Sequence, residues 1–269
     1  MLSDADLDAY FARIGYEGPR VPTRPVLDGI AEAHARAIPF ENIDVLLGRP
    51  IALDDASLVR KLVHARRGGY CFEQNGLFLS VLERLGFTVR PIGARVRWQK
   101  PADYTPPRTH LFLRVELDSD SWLVDVGIGG LSLTNAMPLA ENAEHPTPRG
   151  PRRLTRDGTR WFHQAQVGGE WLDVCEFTLE DMPAIDREVG NWFTSTHPES
   201  HFRHRLIVTR ATRDGNLTLQ NRELTRRAQG REPEVRVLEN HDELLRVLAS
   251  DFGLEFPAAT RIACSELVW

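Results

Sequence analysis

Residues 109–127 read THLFLRVELDSDSWLVDVG, and this stretch decides the fold of the middle of the chain. Apolar side chains alternate along two short runs, with a polar break between them. A period of two is typical of β-strands that bury one face. If Asp118-Ser119 forms a two-residue turn, Leu117 pairs with Asp120, and paired residue numbers sum to 237 throughout. All the alternating apolar residues then lie on one side of the hairpin: Leu111, Leu113, Val115, Leu117, Trp122, Val124 and Val126.

The same register brings two titratable side chains together on the other side of the hairpin. His110 faces Gly127 and Asp125 faces Phe112, so His110 and Asp125 are diagonal neighbours, roughly 7–8 Å apart at the backbone. A slip of one residue would separate the apolar set and turn Asp125 to the opposite face. An aspartate that accepts a hydrogen bond from one ring nitrogen holds an imidazole in the orientation that proton transfer needs. The hairpin therefore predicts an acid–base pair.

A nucleophile is predicted upstream, at the start of a helix. The paired glycines of residues 66–70 (RRGGY) interrupt any helix, and an apolar stripe at Phe78, Val81, Leu82 and Leu85 follows, ended by Gly86. Cys71 therefore lies in or just before the first helical turn, where the helix dipole and free N–H groups favour a thiolate.

The glycines before this cysteine suggest a second role for the turn. Gly68 and Gly69 allow the backbone to approach a substrate closely, and N–H groups of the turn could form an oxyanion hole. With Cys71, His110 and Asp125 the pattern predicts covalent acyl transfer. Two other readings remain open from spacing alone, namely a purely structural His and Asp, and a zinc site made from these three residues.

Along the rest of the chain, the spacing of apolar residues changes from a helical period to a period of two. Helices are predicted from Ser3 or Asp4 through Arg13, over Val26 to Ala37, and from Asp54 onward. A β-region with a period of two follows from Thr88 to about Val174. Residues 179–200 resemble a connector. The last 69 residues mix two strands with one helix, at Arg205 to Arg210, Leu217 to Gln220 and Asp242 to Leu248.

Composition excludes several classes of protein. The 269 residues carry 33 Lys+Arg interspersed with 38 Asp+Glu, for a formal net charge of −5, whereas binding to nucleic-acid phosphates needs a basic face. No run of about 18 apolar residues suits a membrane span. The acidic start of the chain does not resemble a signal peptide, so we expect a cytoplasmic protein. Cys175 and Cys264 are interpreted as small buried hydrophobes.

Four motifs together resemble the arylamine N-acetyltransferase family. They are residues 38–45 (IPFENIDV), 67–75 (RGGYCFEQN), 109–111 (THL) and 124–127 (VDVG), and residues 194–198 (TSTHP) fit a further family motif. The match runs in order from about residue 10 to 205. The resemblance implies an α+β fold with a cysteine-protease-like Cys-His-Asp triad. It also implies three regions: a helical domain at 1–86 with Cys71, a β-barrel-like domain at 87–190 with His110 and Asp125, and a connector with an α/β lid at 191–269.

The resemblance also implies an activity and its binding residues. Acetyl-CoA is the co-substrate, no metal takes part, and acetyl passes through Cys71 by ping-pong kinetics to arylamines, arylhydrazines or N-hydroxyarylamines, a chemistry of xenobiotic metabolism. By similarity, Gly129 and Gly130 approach the CoA pyrophosphate, while Thr109 and Phe202 flank the cleft. The residues that wall the amine pocket are Phe40, Val96 and Ile128. Many relatives have an aromatic residue where this chain has Ile128, which puts the preferred amine in doubt.

Other functions fit the same residues. A biosynthetic amide synthase of this fold would act on a thioester-bound chain, and a cysteine hydrolase would offer water or a lysine as the acceptor. A non-enzymatic interaction protein would not need the intact trio. Neither nucleic acid nor a membrane is expected as a partner, and the choice between a monomer and a homo-oligomer stays open.

Overall fold

The computed structural model describes residues 2–147 and 150–269. Its helices are α1 (Asp4–Ile14), α2 (Arg24–Ala37), α3 (Ile43–Leu46), α4 (Asp55–Leu58), α5 (Cys71–Arg84), α6 (Ala184–Thr196) and α7 (His241–Phe252). Short 3₁₀ turns cover Gly129–Leu131 and His201–Arg203. Within the described ranges, no helix has the length and apolar character that crossing a bilayer requires.

The first two helices form as the sequence predicts. The side chain of Ser3 accepts a hydrogen bond from the Asp6 N–H and so caps α1. Gly15 ends this helix in the left-handed region, at φ +66°, where glycine carries no Cβ penalty. Proline in the first turn of α2 suits a position that needs no N–H donor.

The third predicted helix begins where expected but changes its winding. Asp54 caps α4 by accepting the Ser57 N–H at 2.9 Å. The chain then continues as a π-helix over Val59–His64 rather than as an α-helix. Lys61 lies in this wider turn and forms ion pairs with Asp44 and Glu73.

Two antiparallel sheets make up the rest of the fold. A seven-stranded sheet has the order β5-β4-β3-β2-β8-β7-β6, and a five-stranded sheet has the order β1-β9-β10-β11-β12. The first sheet contains β2 (Thr88–Val96), β3 (His110–Leu117), β4 (Asp120–Val124), β5 (Met137–Pro138), β6 (Arg152–Asp157), β7 (Arg160–Val167) and β8 (Glu170–Asp181). The second contains β1 (Phe40–Glu41), β9 (Ile207–Ala211), β10 (Gly215–Gln220), β11 (Glu223–Ala228) and β12 (Glu234–Val237).

The predicted hairpin register is confirmed. Leu117 pairs with Asp120 and Leu113 with Val124, so the paired numbers sum to 237. The apolar face packs mainly on the helices of the N-terminal region. The opposite face is buried as well, because Phe112 and Leu123 line the interior of the larger sheet, which curls into a half-barrel. A sheet buried on both faces explains why apolar residues interrupt the alternation.

The segment that follows β5 connects the two edge strands of the larger sheet, β5 and β6. Glu141 forms an isolated bridge with Leu154, and His145 forms one with Arg152, so this segment lies along β6. The interior is filled mainly by apolar side chains from strands and loops: Ile92, Ala94, Phe112, Leu123, Leu133, Met137, Leu154, Trp161, Ala165, Val174, Cys175 and Phe177. The overall fold is therefore mixed α/β, with a curled half-barrel beside the helices.

The predicted connector at residues 179–200 is wrong, since β8 extends to Asp181 and α6 follows. The buried face of α6 consists of small and polar residues, including Gly190 and Thr194, whereas Ile185 and Trp192 are exposed. Apolar periodicity therefore does not mark the buried side of this helix. The C-terminal region has the expected helix, but four strands rather than two. The division at 1–86, 87–190 and 191–269 stays a prediction, and α6 runs across its second boundary.

Candidate active site

Cys71 is the first residue of α5 and is 4% exposed. Glu73 stabilises the turn that precedes Cys71, because its Oε2 accepts a hydrogen bond from the Tyr70 N–H at 3.1 Å. The other carboxylate oxygen of Glu73 lies 2.6 Å from Lys61 Nζ. Burial raises the pKa of Glu73 to about 7, and the nearby Lys61 ammonium opposes that rise. A helix with a buried apolar face and a tied N-terminus holds the sulfur in one place.

Gly68 and Gly69 are needed for close packing of the turn. This corrects the expectation that the Gly69 N–H helps to form an oxyanion hole. A Cβ atom at Gly68 would lie 2.1 Å from the Pro39 carbonyl oxygen, and one at Gly69 would lie 2.7 Å from Glu73 Oε2. The Gly69 N–H already donates to Pro39 at 3.3 Å. This N–H is therefore not free to act as an oxyanion donor. Gly68 is required because the Pro39 backbone lies against it, and Gly69 because the Glu73 side chain does.

His110 and Asp125 meet as the hairpin register predicts. His110 Nε2 lies 2.8 Å from Asp125 Oδ2, and both side chains are buried. Burial alone lowers the pKa of His110, but the Asp125 carboxylate, the hydrogen bond to it and the Cys71 side chain raise that pKa to about 10. The imidazolium is thus the favoured form at neutral pH. The Phe112 ring fixes the imidazole edge-on, with centroids 4.9 Å apart.

Cys71 lies beside this pair. Its Sγ is 3.5 Å from the carbonyl oxygen of Thr109, the residue that precedes His110, and the Cys71 side chain is near enough to the imidazole to raise the pKa of His110. Gly127 permits the approach, because a Cβ atom there would lie 2.9 Å from Cys71 Cα. The start of α5 and the open end of the hairpin therefore bring sulfur, imidazole and carboxylate into one buried row.

Asn75 is a site residue that the sequence reasoning missed. Its amide Nδ2 donates to Asp125 Oδ1 at 2.8 Å and to the Leu111 carbonyl at 2.7 Å, while its Oδ1 accepts the Val126 N–H at 3.1 Å. Asp125 Oδ1 also accepts the Gly127 N–H at 2.8 Å. Its position four residues after Cys71 could have indicated a role at the site, because that spacing places two side chains on one helix face.

Two of the predicted binding residues share a cluster with Cys71. Phe40 packs with Tyr70, Phe72 and Leu111 in the apolar group that contains the sulfur, and Phe202 packs against it. The Phe40 and Phe202 rings have centroids 5.9 Å apart. Thr109 reaches the same place through its backbone carbonyl. Roles in binding acetyl-CoA or an amine stay predictions for these residues.

Gly129 and Gly130 form a turn between the two sheets. Gly129 has φ +69°, and a Cβ atom there would lie 2.8 Å from Thr209 Oγ1 and 3.5 Å from Phe40 Cγ. The Gly130 carbonyl accepts a hydrogen bond from Asn216 Nδ2 at 3.2 Å. The turn is thus held against β9 and β10, close to Phe40. Contact with a pyrophosphate at this turn stays a prediction.

Val96 and Ile128 pack against a second apolar group. Both are partly buried against the apolar interior of the half-barrel, next to the group that includes Phe112, rather than in the cluster of Cys71 and Phe40. The structure therefore does not bring all three predicted amine-pocket residues into one apolar cluster. In the two described stretches, no group of three or more His, Cys, Asp or Glu could hold a metal ion, so the zinc alternative has no ligand set there.

Comparison with known proteins gives the class. A family model described as N-acetyltransferase matches residues 24–261. A curled half-barrel in a mixed α/β fold, together with that match, defines the protein as an acyltransferase.

Individual relatives narrow the class to a family. A Salmonella typhimurium protein named arylamine N-acetyltransferase / N-hydroxyarylamine O-acetyltransferase is 42% identical over 92% of this chain and 88% of its own length. The arylamine N-acetyltransferase structure from M. tuberculosis matches with a TM-score of 0.90 and 40% identity, covering 92% of this chain and 93% of that one. The Mycobacterium marinum enzyme in complex with CoA gives a TM-score of 0.89 and 39% identity, covering 92% of each chain. The chain belongs to the arylamine N-acetyltransferase family.

Proposed function

We propose that this chain transfers the acetyl group of acetyl-CoA to arylamines through a thioester on Cys71. The observation that carries the proposal is the buried row in which His110 Nε2 lies 2.8 Å from Asp125 Oδ2, while Cys71 Sγ lies 3.5 Å from the carbonyl oxygen of the preceding residue, Thr109. A thiolate beside an imidazolium that a carboxylate orients is the arrangement of an activated nucleophile. The similarity to a structure named as a CoA complex supports the choice of acyl donor.

Before the first half-reaction, the proton of the Cys71 thiol has passed to His110, which gives the thiolate–imidazolium pair. The thiolate attacks the acetyl carbonyl carbon, and a new S–C bond forms. The carbonyl oxygen becomes an oxyanion close to the first-turn N–H groups of Cys71 and Phe72, which have no acceptor within α5 because helices leave their first four N–H groups unpaired. The bond to the CoA sulfur then breaks, and the leaving thiolate receives the proton from His110.

In the second half-reaction, the amine nitrogen attacks the acetyl-Cys71 carbonyl. An N–C bond forms, the S–C bond breaks, and His110 accepts the proton that the nitrogen loses. The enzyme returns to its thiolate–imidazolium state. Aromatic amines suit this step because they are weak bases and keep a free lone pair at neutral pH. The alternation of donor and acceptor on one sulfur gives ping-pong kinetics.

Acceptors and contact residues extend the same proposal. Arylhydrazines and N-hydroxyarylamines are further acceptors, and the name of the Salmonella relative includes O-acetyl transfer to N-hydroxyarylamines. We assign Gly129 and Gly130 to the CoA pyrophosphate, with Thr109 and Phe202 beside the cleft. The amine pocket is assigned to Phe40, Val96 and Ile128. Phe40 and Phe202 carry this assignment best, because they pack in or against the cluster of Cys71.

The test uses acetyl-CoA alone, with no amine. Intact-protein mass spectrometry is expected to show one acetyl group on the wild type, none on Cys71→Ala, and one on the control Cys264→Ala. An aromatic amine added afterwards should remove the acetyl group far faster than water does. If Cys71→Ala were still acetylated, another residue would be the nucleophile. If water removed the acetyl group from the wild type as fast as the aromatic amine does, the enzyme would be a hydrolase.

A further inference from the structure

An arginine lies inside the half-barrel without a counter-charge. Arg152 is the first residue of β6 and is 2% exposed, and its Nε and Nη1 donate to no group among the described residues. It pairs with Ala165 on β7, and alternation along β6 puts it on the same face as Leu154. Leu154 and Ala165 both belong to the apolar interior. The guanidinium is therefore held among interior side chains.

The chain supplies no carboxylate to this guanidinium. Among residues 2–147 and 150–269, no carboxylate offsets the effect of burial on the Arg152 pKa, and the other three residues, Met1, Pro148 and Arg149, have no acidic side chain. Burial lowers the pKa of Arg152 to about 10, which still leaves it protonated at neutral pH. A buried charge without a partner is unfavourable, so an external group is needed to compensate it.

His163 is the second unpaired polar group on this face. It is 0% exposed, and within residues 2–147 and 150–269 neither Nδ1 nor Nε2 has a hydrogen-bond partner. His163 pairs with Leu154, which makes it a diagonal cross-strand neighbour of Arg152. Burial, with smaller contributions from Arg152 and His110, puts the pKa of His163 well below its usual value. The ring is thus neutral and offers one N–H donor.

We propose that Arg152 and His163 hold a small monovalent anion, of halide size, inside the half-barrel. A guanidinium and a neutral imidazole N–H supply donors on one interior face, and a single negative charge neutralises Arg152. Water would satisfy donors but would leave the net charge in place. The site adjoins the acyl-transfer site but uses other side chains, and the Phe112 ring contacts both the ring of His163 and that of His110.

Crystals of the full chain grown in sodium bromide test the site directly. We expect an anomalous bromine peak within hydrogen-bond distance of Arg152 Nε or Nη1, on the side of His163. Density without an anomalous signal at this place would identify a water molecule and overturn the proposal, and so would a well-ordered interior with nothing bound there.

Thermal unfolding gives an independent readout in solution. At constant ionic strength, replacing gluconate by bromide should raise the Tm of the wild type in a saturable way, by about 3 °C at ten times the dissociation constant. Arg152→Met keeps the side-chain length without the charge, so the saturable rise should vanish, whatever the starting Tm. His163→Phe should weaken it. The same saturable rise in Arg152→Met would contradict the assignment, and the crystal result decides if that variant does not fold.

Discussion

At the scale of single residues, the candidate site depends on which atoms face each other. His110 presents Nε2 to Asp125, and Asp125 divides its two oxygens between His110 and the pair Asn75 and Gly127. The carboxylate is therefore fully hydrogen-bonded although it is buried, which keeps its orientation fixed. Asn75 sits on the same helix as Cys71, so one helix positions both the nucleophile and the aspartate.

Replacing His110 by Ala tests the ion pair. The pKa of about 10 keeps the His110 imidazolium charged below that pH, and a positive charge beside a sulfur favours its thiolate, so Cys71 of the wild type should still react with iodoacetamide in mild acid. In His110→Ala the rate at about pH 5 should fall on the order of 100-fold and rise with pH as for an ordinary thiol.

His197→Ala provides the control, because this imidazole stacks on Phe193 at a centroid distance of 4.3 Å and lies outside the row. Mass-resolved alkylation of Cys71 measures both variants. If His110→Ala reacted at the wild-type rate at low pH, the base would have to be another residue.

At the scale of elements, α1, α2 and α5 meet around a buried histidine. His34 Nδ1 lies 2.9 Å from the Tyr10 hydroxyl, and its Nε2 lies 2.7 Å from Gln74 Oε1. Gln74 in turn donates to the Pro39 carbonyl at 2.8 Å, next to the glycine turn that leads to Cys71. The packing of the helices and the position of the nucleophile are thus linked through Gln74.

This histidine predicts a loss of stability in mild acid. Burial lowers the pKa of His34 to about 4, although the hydrogen bond that His34 donates to Gln74 Oε1 opposes this shift. The unfolded chain then binds a proton more readily than the folded one, so the stabilisation is present above about pH 6.5 and is lost as the pH falls through 4. The free energy of unfolding should drop by about 3 kcal/mol across this window.

Urea denaturation at several pH values measures the effect, and His34→Gln should flatten part of the dependence. The exposed His204, replaced by Gln, is the matched control and should leave the profile unchanged. An identical slope in wild type and His34→Gln would mean that other groups cause the acid sensitivity.

At the scale of the whole molecule, a few contacts join segments far apart in sequence. Asn42 Nδ2 donates to the carbonyls of Phe202, at 2.7 Å, and Arg205, at 2.8 Å, and its Oδ1 accepts the Ile207 N–H at 2.8 Å. Strand β1 also pairs with β9. These contacts carry Phe202 to the Phe40 ring, and so they complete the apolar cluster around Cys71.

Asn42→Ala should therefore destabilise the fold. Three hydrogen bonds of a buried side chain are lost, so the free energy of unfolding should fall by about 2–4 kcal/mol. Urea denaturation measures this. Asn216→Ala is the control, since its Nδ2 makes one hydrogen bond to Gly130 from a half-buried position, and its cost should stay near about 1 kcal/mol. Equal costs for the two variants would refute the role of Asn42 as the link.

The amino-acid sequence by itself determined the hairpin register, the start of a helix at Cys71 and the meeting of His110 with Asp125. These follow from local periodicity, because burial of one apolar face selects a single register. Only the tertiary structure decided that Asn75 holds Asp125, that Gly68 and Gly69 pack against Pro39 and Glu73, and which face of the helix at residues 184–196 is buried. Such outcomes depend on which surfaces meet after folding. In this helix the apolar stripe of Ile185, Val189 and Trp192 faces solvent, so apolar spacing does not indicate the buried face.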